Sequence, residues 1–203
     1  GRIEATEVAV ATKQAGRVLD ILVGEGDFVT AGQPVARMQI DSLQAQRDEA
    51  MARLQQAQLA VSSAQVQVAQ RESDYQSALA VVAQRDSDLD TAKRRLPRSE
   101  QLARDGFFST QLLDDDRAKV RSLQAALTAA QSQAKAAQAG ISAARTQVTS
   151  AEANVRALQA TLARIDVELA DSELKAPRDG RVQFRVVQPG EVVGAGARVL
   201  RLA

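Results

Sequence analysis

The two ends of this 203-residue chain repeat each other, although more than a hundred residues separate them. Residues 15–38 align with residues 179–202 without a gap. The matched identical residues are Gly16 and Gly180, Val18 and Val182, Gly26 and Gly190, Val29 and Val193, Gly32 and Gly196, and Val35 and Val199. A repeat divided in this way predicts one small domain that a long insertion splits into two halves.

Both halves have the pattern of short β-strands separated by turns. The turn sequences are residues 24–27 in the first half and residues 188–191 in the second. Valines flank each turn at the same spacing in both halves. We predict that residues 8–40 and 174–203 form one β-rich domain with a shared Val/Leu core, and that residues 1–7 are a strand. The residues interpreted as structural turn glycines, suited to positive φ, are Gly16, Gly26, Gly32, Gly180, Gly190 and Gly196.

Between the halves, apolar residues recur with the alternating spacing of four and three that is typical of a coiled coil. One series runs from Leu54 to Leu96 and is interrupted only by Arg71 and Arg85. A second series runs from Val120 to Leu169 without a polar residue. Two such helices joined by a short connection pack antiparallel. The sequence therefore predicts a helical hairpin over residues 41–173, with its tip at about residues 104–110.

The connection contains several signals for the ends of helices. Pro97 removes a backbone donor and predicts a kink or short break. Gly106 is suited to end the first helix, and Ser109 or Thr110 to begin the second. We interpret Asp114–Asp116 as carboxylates that match the positive end of the second helix rather than as a metal site.

Composition excludes several classes of function. The chain has no Cys and no His, so disulfides, the usual zinc sites and imidazole-based triads are absent. A net charge of +1 with mixed signs argues against a nucleic-acid partner. No apolar stretch approaches a membrane span, and we find no phosphate-binding loop and no candidate catalytic pair. The sequence predicts that the protein is not an enzyme and holds neither a metal nor a cofactor.

Phe107 and Phe108 are two of only four Phe residues, and they lie at the predicted tip, where no large core exists. They either cap the end of the seam or form a contact surface for another protein. The arginines before them, Arg94, Arg95 and Arg98, either form a solvated face or contact acidic groups of a partner.

A split β module interrupted by a helical hairpin resembles the periplasmic adaptor, or membrane fusion, proteins of the HlyD type, which serve tripartite efflux pumps and type I secretion systems. These adaptors have a split lipoyl-like domain and a tip motif of the form R-x3-L-x6-S. Arg98, Leu102 and Ser109 have this spacing. The resemblance extends from about Ile3 to Ala203.

The resemblance implies an elongated α+β protein of the periplasm, anchored to the inner membrane through a segment outside this chain. Residues 1–7 would then lead from a β-barrel region outside the sequence. It implies that Arg98, Leu102, Phe108 and Ser109 dock on a TolC-like outer-membrane channel. It further implies an inner-membrane transporter, with the ABC type favoured over MFS or RND types, and a homo-oligomer, expected to be a hexamer.

Two other functions are open to a chain of this kind. A lipoyl-type carrier would need a modifiable Lys at the turn between the two halves. The helical insertion occupies that place, and Lys175 lies at the other junction. A structural coiled-coil spacer would account for the heptads, but not for the divided β module or the tip motif.

Overall fold

A computed structural model describes residues 7–203, so the strand predicted over residues 1–7 lies outside the described residues except for Glu7. The chain divides into two compact units. The first takes in the chain up to Gln56 and the segment Val155–Ala203, and the second is Ala57–Asn154. The elements are β1 Val8–Ala11, β2 Gly16–Ile21, β3 Phe28–Val29, β4 Pro34–Met38, α1 Asp41–Arg104, α2 Thr110–Asp171, β5 Glu173–Lys175, β6 Gly180–Arg185, β7 Val192–Val193 and β8 Arg198–Leu202.

The first unit contains two four-stranded sheets, and each sheet takes strands from both halves of the repeat. One sheet has the order β1-β8-β6-β3 and the other β5-β4-β2-β7. The pairing is antiparallel and repeats between the sheets: Val18 lies opposite Met38 in one, and Val182 lies opposite Leu202 in the other. Neither half therefore completes a sheet without the other.

Backbone hydrogen bonds between the halves also occur in equivalent pairs. The N–H of Gly26 donates to the carbonyl oxygen of Val182 at 2.8 Å, and the N–H of Gly190 donates to that of Val18 at 2.7 Å. The matching valines supply the core because alternate residues of a strand face the same side. The fully buried large side chains are Val18, Val29, Val35, Val182, Val199, Leu200 and Leu202. Each contributes about 1.5–3 kcal/mol relative to an exposed position.

The six repeated glycines have two different roles. Gly26, Gly32, Gly190 and Gly196 lie in turns with φ between 79° and 90°, where a side chain would be strained. The prediction that Gly16 and Gly180 are turn glycines is wrong, because they begin β2 and β6 and are not among the positive-φ residues. Space explains them instead. A Cβ on Gly180 would lie 2.8 Å from the carbonyl oxygen of Ala203, and one on Gly16 would lie 3.2 Å from Cε of Met38.

Two ion pairs hold the ends of the helices within the first unit. Lys13 Nζ lies 2.5 Å from Asp171 Oδ1, which connects the β1–β2 loop to the last residue of α2. Arg47 Nε donates to Asp166 Oδ1 at 2.6 Å, and this bond and the charge of Asp166 raise the pKa of Arg47.

In the second unit, the predicted seams are the buried sides of the two helices. The buried members are Ala57, Ala64 and Leu89 on α1 and Leu127, Ala134 and Ile141 on α2. Arg71 and Arg85 lie in the α1 seam series but are exposed, and each forms an ion pair with an Asp three residues later. The predicted fold class, an α+β protein with a two-helix hairpin inserted into a split β domain, is confirmed.

A kink or a short break was predicted at Pro97, and the break is wrong, because α1 continues through Pro97 to Arg104. Pro97 cannot donate to the carbonyl of Lys93, so one helical hydrogen bond is lost. The side chains of Arg95 and Ser99, on either side of Pro97, both bind Asp116 of α2. These contacts hold the segment against its partner helix and offset the missing bond.

Within residues 7–203, neither long helix combines the length and apolar character that a membrane-spanning segment requires.

Candidate functional site

The first helix of the hairpin ends at a glycine cap. Gly106 has φ of 80°, and its N–H donates to the carbonyl of Ala103 at 3.2 Å. The N–H of Phe107 donates to the carbonyl of Leu102 at 2.9 Å. These two bonds form a Schellman motif, which satisfies carbonyls that the helix end would otherwise leave free. The turn is therefore fixed by backbone geometry, and Phe107 follows it directly.

The second helix begins at a serine cap. Ser109 Oγ accepts a hydrogen bond from the N–H of Leu112 at 3.3 Å, and the Ser109 carbonyl accepts one from Leu113 at 3.2 Å. This is the N-cap arrangement, typically worth about 1 kcal/mol. Ser109, predicted to contact a partner, therefore also stabilises its own helix, and its hydroxyl hydrogen remains able to donate.

The predicted docking residues are placed at this end of the hairpin with different exposure. Arg98 and Leu102 are one helical turn apart on α1 and both are exposed, Leu102 by 43%. Ser109 is exposed and Phe108 is half-buried. Phe107 is 81% exposed, which is more than any other large apolar residue among those described. We call the group Arg98, Leu102, Phe107, Phe108 and Ser109 the tip surface.

A polar cluster below the tip surface was not predicted from the sequence. Ser99 is 4% exposed, and its Oγ donates to Asp116 Oδ2 at 2.5 Å. Arg95 Nε donates to the same oxygen at 3.2 Å. The heptad spacing, continued from Leu96 and backwards from Val120, reaches Ser99 and Asp116. The spacing therefore indicated both positions, but a search for apolar residues ends before them.

Other charged side chains near the tip also form ion pairs within the chain. Arg117 contacts Glu100 on α1 at 3.3 Å and Asp114 on its own helix at 3.6 Å. Arg94 pairs with Asp90, and that carboxylate raises the pKa of Arg94. Of the acidic triplet, Asp116 joins the two helices, and Asp114 pairs within α2. The prediction that the triplet matches the positive end of α2 is wrong, because α2 begins at Thr110 and has no acidic residue in its first turn, where the effect of the dipole is concentrated. Arg94 and Arg95 thus form ion pairs, whereas Arg98 forms none with any residue in the described part of the chain.

The arrangement is suited to binding rather than to chemistry. An apolar surface formed by Leu102 and Phe107 lies beside one unengaged guanidinium, and bonds between α1 and α2 hold it in place. Within residues 7–203, no cluster of three or more carboxylate, imidazole or thiol groups offers a metal site. A surface that is fixed before binding loses little conformational entropy when a partner docks.

The hairpin that carries the tip surface also matches a known family of domains. Residues 74–142, which include the tip, match the family model described as the RND MFP alpha-helical hairpin domain. The whole chain is 29% identical to a UPF0194 membrane protein encoded in the asrC 5' region of Acidithiobacillus ferridurans. The chain spans 59% of that relative's length.

Two solved structures share the fold. The periplasmic adaptor protein EmrA is matched over 98% of this chain and 72% of its own, with a TM-score of 0.53 and 16% identity. The soluble domain of LipC, a membrane fusion protein of a type I secretion system, is matched over 98% of this chain and 99% of its own, with a TM-score of 0.51 and 16% identity. The predicted resemblance to periplasmic adaptor, or membrane fusion, proteins is therefore confirmed.

Proposed function

We propose that this chain is part of a periplasmic adaptor subunit that links an inner-membrane transporter to a TolC-like outer-membrane channel for efflux or secretion. The subunit would be anchored to the inner membrane outside this chain and would assemble as a homo-oligomer, with a hexamer expected. The observation that carries the proposal is the tip surface. It exposes apolar side chains and a guanidinium on a turn whose backbone is fixed by two caps.

Each tip residue has a role that its chemistry supports. Arg98 donates to carbonyls or carboxylates of the channel. Leu102 and Phe107 enter an apolar notch, where burying either side chain contributes about 1.5–3 kcal/mol. Ser109 donates to a free backbone carbonyl at the end of a partner helix. Phe108, although half-buried, docks with the same surface.

The test replaces the exposed apolar residue while leaving the helix and both caps in place. Leu102→Asp together with Arg98→Asp should abolish export and the co-purification of the adaptor with its channel. The circular dichroism spectrum and the abundance of the adaptor should not change, because neither side chain contributes to the seam. Normal export by this double variant would remove the docking role.

A matched control separates docking from a general effect of an added charge. The exposed fraction of Val81, 45%, is close to the 43% of Leu102. Val81 also lies on α1, but well away from the tip. Val81→Asp should leave export and co-purification intact. The spacer alternative gives a different pattern, since it expects equal effects of the charge at both places.

We further propose that the transporter is of the ABC type. A long two-helix hairpin that begins directly after the first β half, without additional helices, supports this choice. The matched hairpin model carries RND in its description, whereas LipC belongs to a type I secretion system. Cross-linking the full-length adaptor in cells and identifying the inner-membrane protein attached to it distinguishes these transporter classes.

A further inference from the structure

The chain contains two sulfur atoms, and they lie in different surroundings. Both are thioethers, those of Met38 and Met51, because the chain has no Cys. Met38 is 7% exposed and belongs to the core of the β domain, whereas Met51 is 46% exposed on α1. A thioether that solvent reaches is open to two-electron oxidants such as hydrogen peroxide. Met51 is therefore the sulfur that an oxidant in solution meets first.

The Met51 thioether is in contact with a cation. Arg47 lies one helical turn before it, and the Nη1–H of Arg47 donates to Met51 Sδ at 3.4 Å. The Nε–H of the same guanidinium donates to Asp166 Oδ1 on α2 at 2.6 Å. One guanidinium thus holds two side chains, one on each helix, and all three residues lie in the first unit. We call Arg47, Met51 and Asp166 the base cluster.

The two hydrogen bonds of Arg47 differ in strength. The bond to Asp166 joins two charged groups, whereas a thioether sulfur is a weak acceptor. A guanidinium presents its N–H donors in a rigid planar fork, in which Nη1 and Nε are separate donors. A stronger acceptor in place of Sδ can therefore bind Nη1 without taking Nε away from Asp166.

We infer that Met51 is an oxidation site and that Arg47 binds the resulting sulfoxide. A lone pair of Met51 Sδ attacks one oxygen of hydrogen peroxide, so that an S–O bond forms while the O–O bond breaks. The second oxygen leaves as hydroxide and takes the proton of the transferred oxygen. The products are one sulfoxide and one water, since the sulfur loses the two electrons that the peroxide gains.

The sulfoxide is a better partner for Arg47 than the thioether. Its oxygen is polar and accepts hydrogen bonds, so the weak N–H···S contact gives way to a charge-assisted N–H···O bond. Oxidation of Met commonly disrupts a core, but the buried residue at this level of α1 is Ala50. Oxidation should therefore tighten the base cluster. This inference is independent of channel docking.

Peroxide treatment of the full-length protein, followed by mass spectrometry of its peptides, tests where the oxygen is added. Met51 should gain one oxygen on the order of tenfold faster than Met38, because Met38 must wait for the β domain to open. In urea the two rates should become equal, since burial no longer protects Met38. A folded protein in which Met38 is oxidised as fast as Met51 would overturn the assignment of the site.

Hydrogen exchange of the backbone amides of residues 44–55 tests the hold of Arg47 on the sulfoxide. Oxidised wild type should exchange about two- to fivefold more slowly than reduced wild type, the range expected for an exposed charged contact. Met51→Leu cannot take up oxygen and should show no effect of peroxide. Arg47→Ala should lose the slowing although Met51 is still oxidised. Asp166→Asn should keep it, because the guanidinium and the sulfur remain in place.

A variant that mimics the sulfoxide repeats the test without an oxidant. Met51→Gln places an amide oxygen on the atom that replaces Sδ, so its amides should exchange more slowly than those of Met51→Leu. Equal exchange in these two variants would refute the hold of Arg47. Unchanged or faster exchange in oxidised wild type, or the same slowing in Arg47→Ala, would do so as well.

Discussion

Ser99 offers the sharpest test of how the tip is held, because it is a buried polar residue in a seam whose other buried residues are apolar. Ser99→Ala removes the hydroxyl that donates to Asp116 and leaves that carboxylate, 14% exposed, with Arg95 as its remaining partner. A hydrogen bond to a charged group contributes about 1.5–3 kcal/mol. Arg95 is 68% exposed, and an ion pair of that kind contributes about 0.2–1 kcal/mol. Ser99→Ala should therefore loosen the tip more than Arg95→Ala.

The assay must report on the tip alone, because a global melting curve of a chain with two compact units does not isolate a local change. Hydrogen exchange of backbone amides between residues 99 and 116 measures local opening. The expected loss corresponds to about 10- to 100-fold faster exchange in Ser99→Ala. Ser87→Ala is a matched control on an exposed face of the same helix. In this control, exchange of the same tip amides should change by about twofold or less. Equal exchange in Ser99→Ala and Ser87→Ala would refute the argument.

A compensating substitution checks the same reasoning from the other side. If the cost of Ser99→Ala comes from a carboxylate left without its donor, removing that carboxylate should recover most of it. The double variant Ser99→Ala with Asp116→Leu places two apolar residues at facing seam positions. Its tip amides should exchange more slowly than those of Ser99→Ala alone. A double variant that opens more readily would show that the cluster acts through Arg95.

Two glycines give opposite predictions for the same substitution. Gly140→Ala should stabilise α2 by about 0.5–1 kcal/mol, because the new Cβ meets only Cδ of Arg71 at 3.8 Å and Ala favours a helix; an unchanged or lower melting temperature would contradict this. Gly180→Ala should destabilise the β domain, because the Cβ would lie 2.8 Å from the backbone oxygen of Ala203; the check is urea unfolding, and a midpoint equal to that of the wild type would show that the strand end yields.

The sequence predicted the parts of the fold that follow directly from periodicity. The heptad series identified the buried sides of both helices because every seventh residue of a coiled coil faces its partner. The aligned ends identified a shared β domain because repeated valines at alternate positions face one core. The same reasoning missed Ser99 and Asp116, because a heptad search scores apolar residues and a buried polar pair breaks the pattern that the search uses.

Other features depended on three-dimensional packing that spacing does not encode. Gly16 and Gly180 repeat like the turn glycines, and only the nearness of Met38 and Ala203 shows that lack of space is the reason for them. The two Phe residues at the tip are equivalent in the sequence. The Schellman geometry leaves Phe107 exposed, while Phe108 is half-buried.

The sharing of both sheets between the two halves has a consequence for synthesis. Strand β4 ends at Met38, and its neighbour β5 begins only at Glu173, so about 130 residues must leave the ribosome between them. At about 5–20 residues per second, the first four strands wait on the order of 10 s for their partners. During that time the capped turn between Arg104 and Thr110 can close and the helices can pair, which draws the later strands towards the earlier ones. The coiled coil thus acts during translation as the element that completes the β domain.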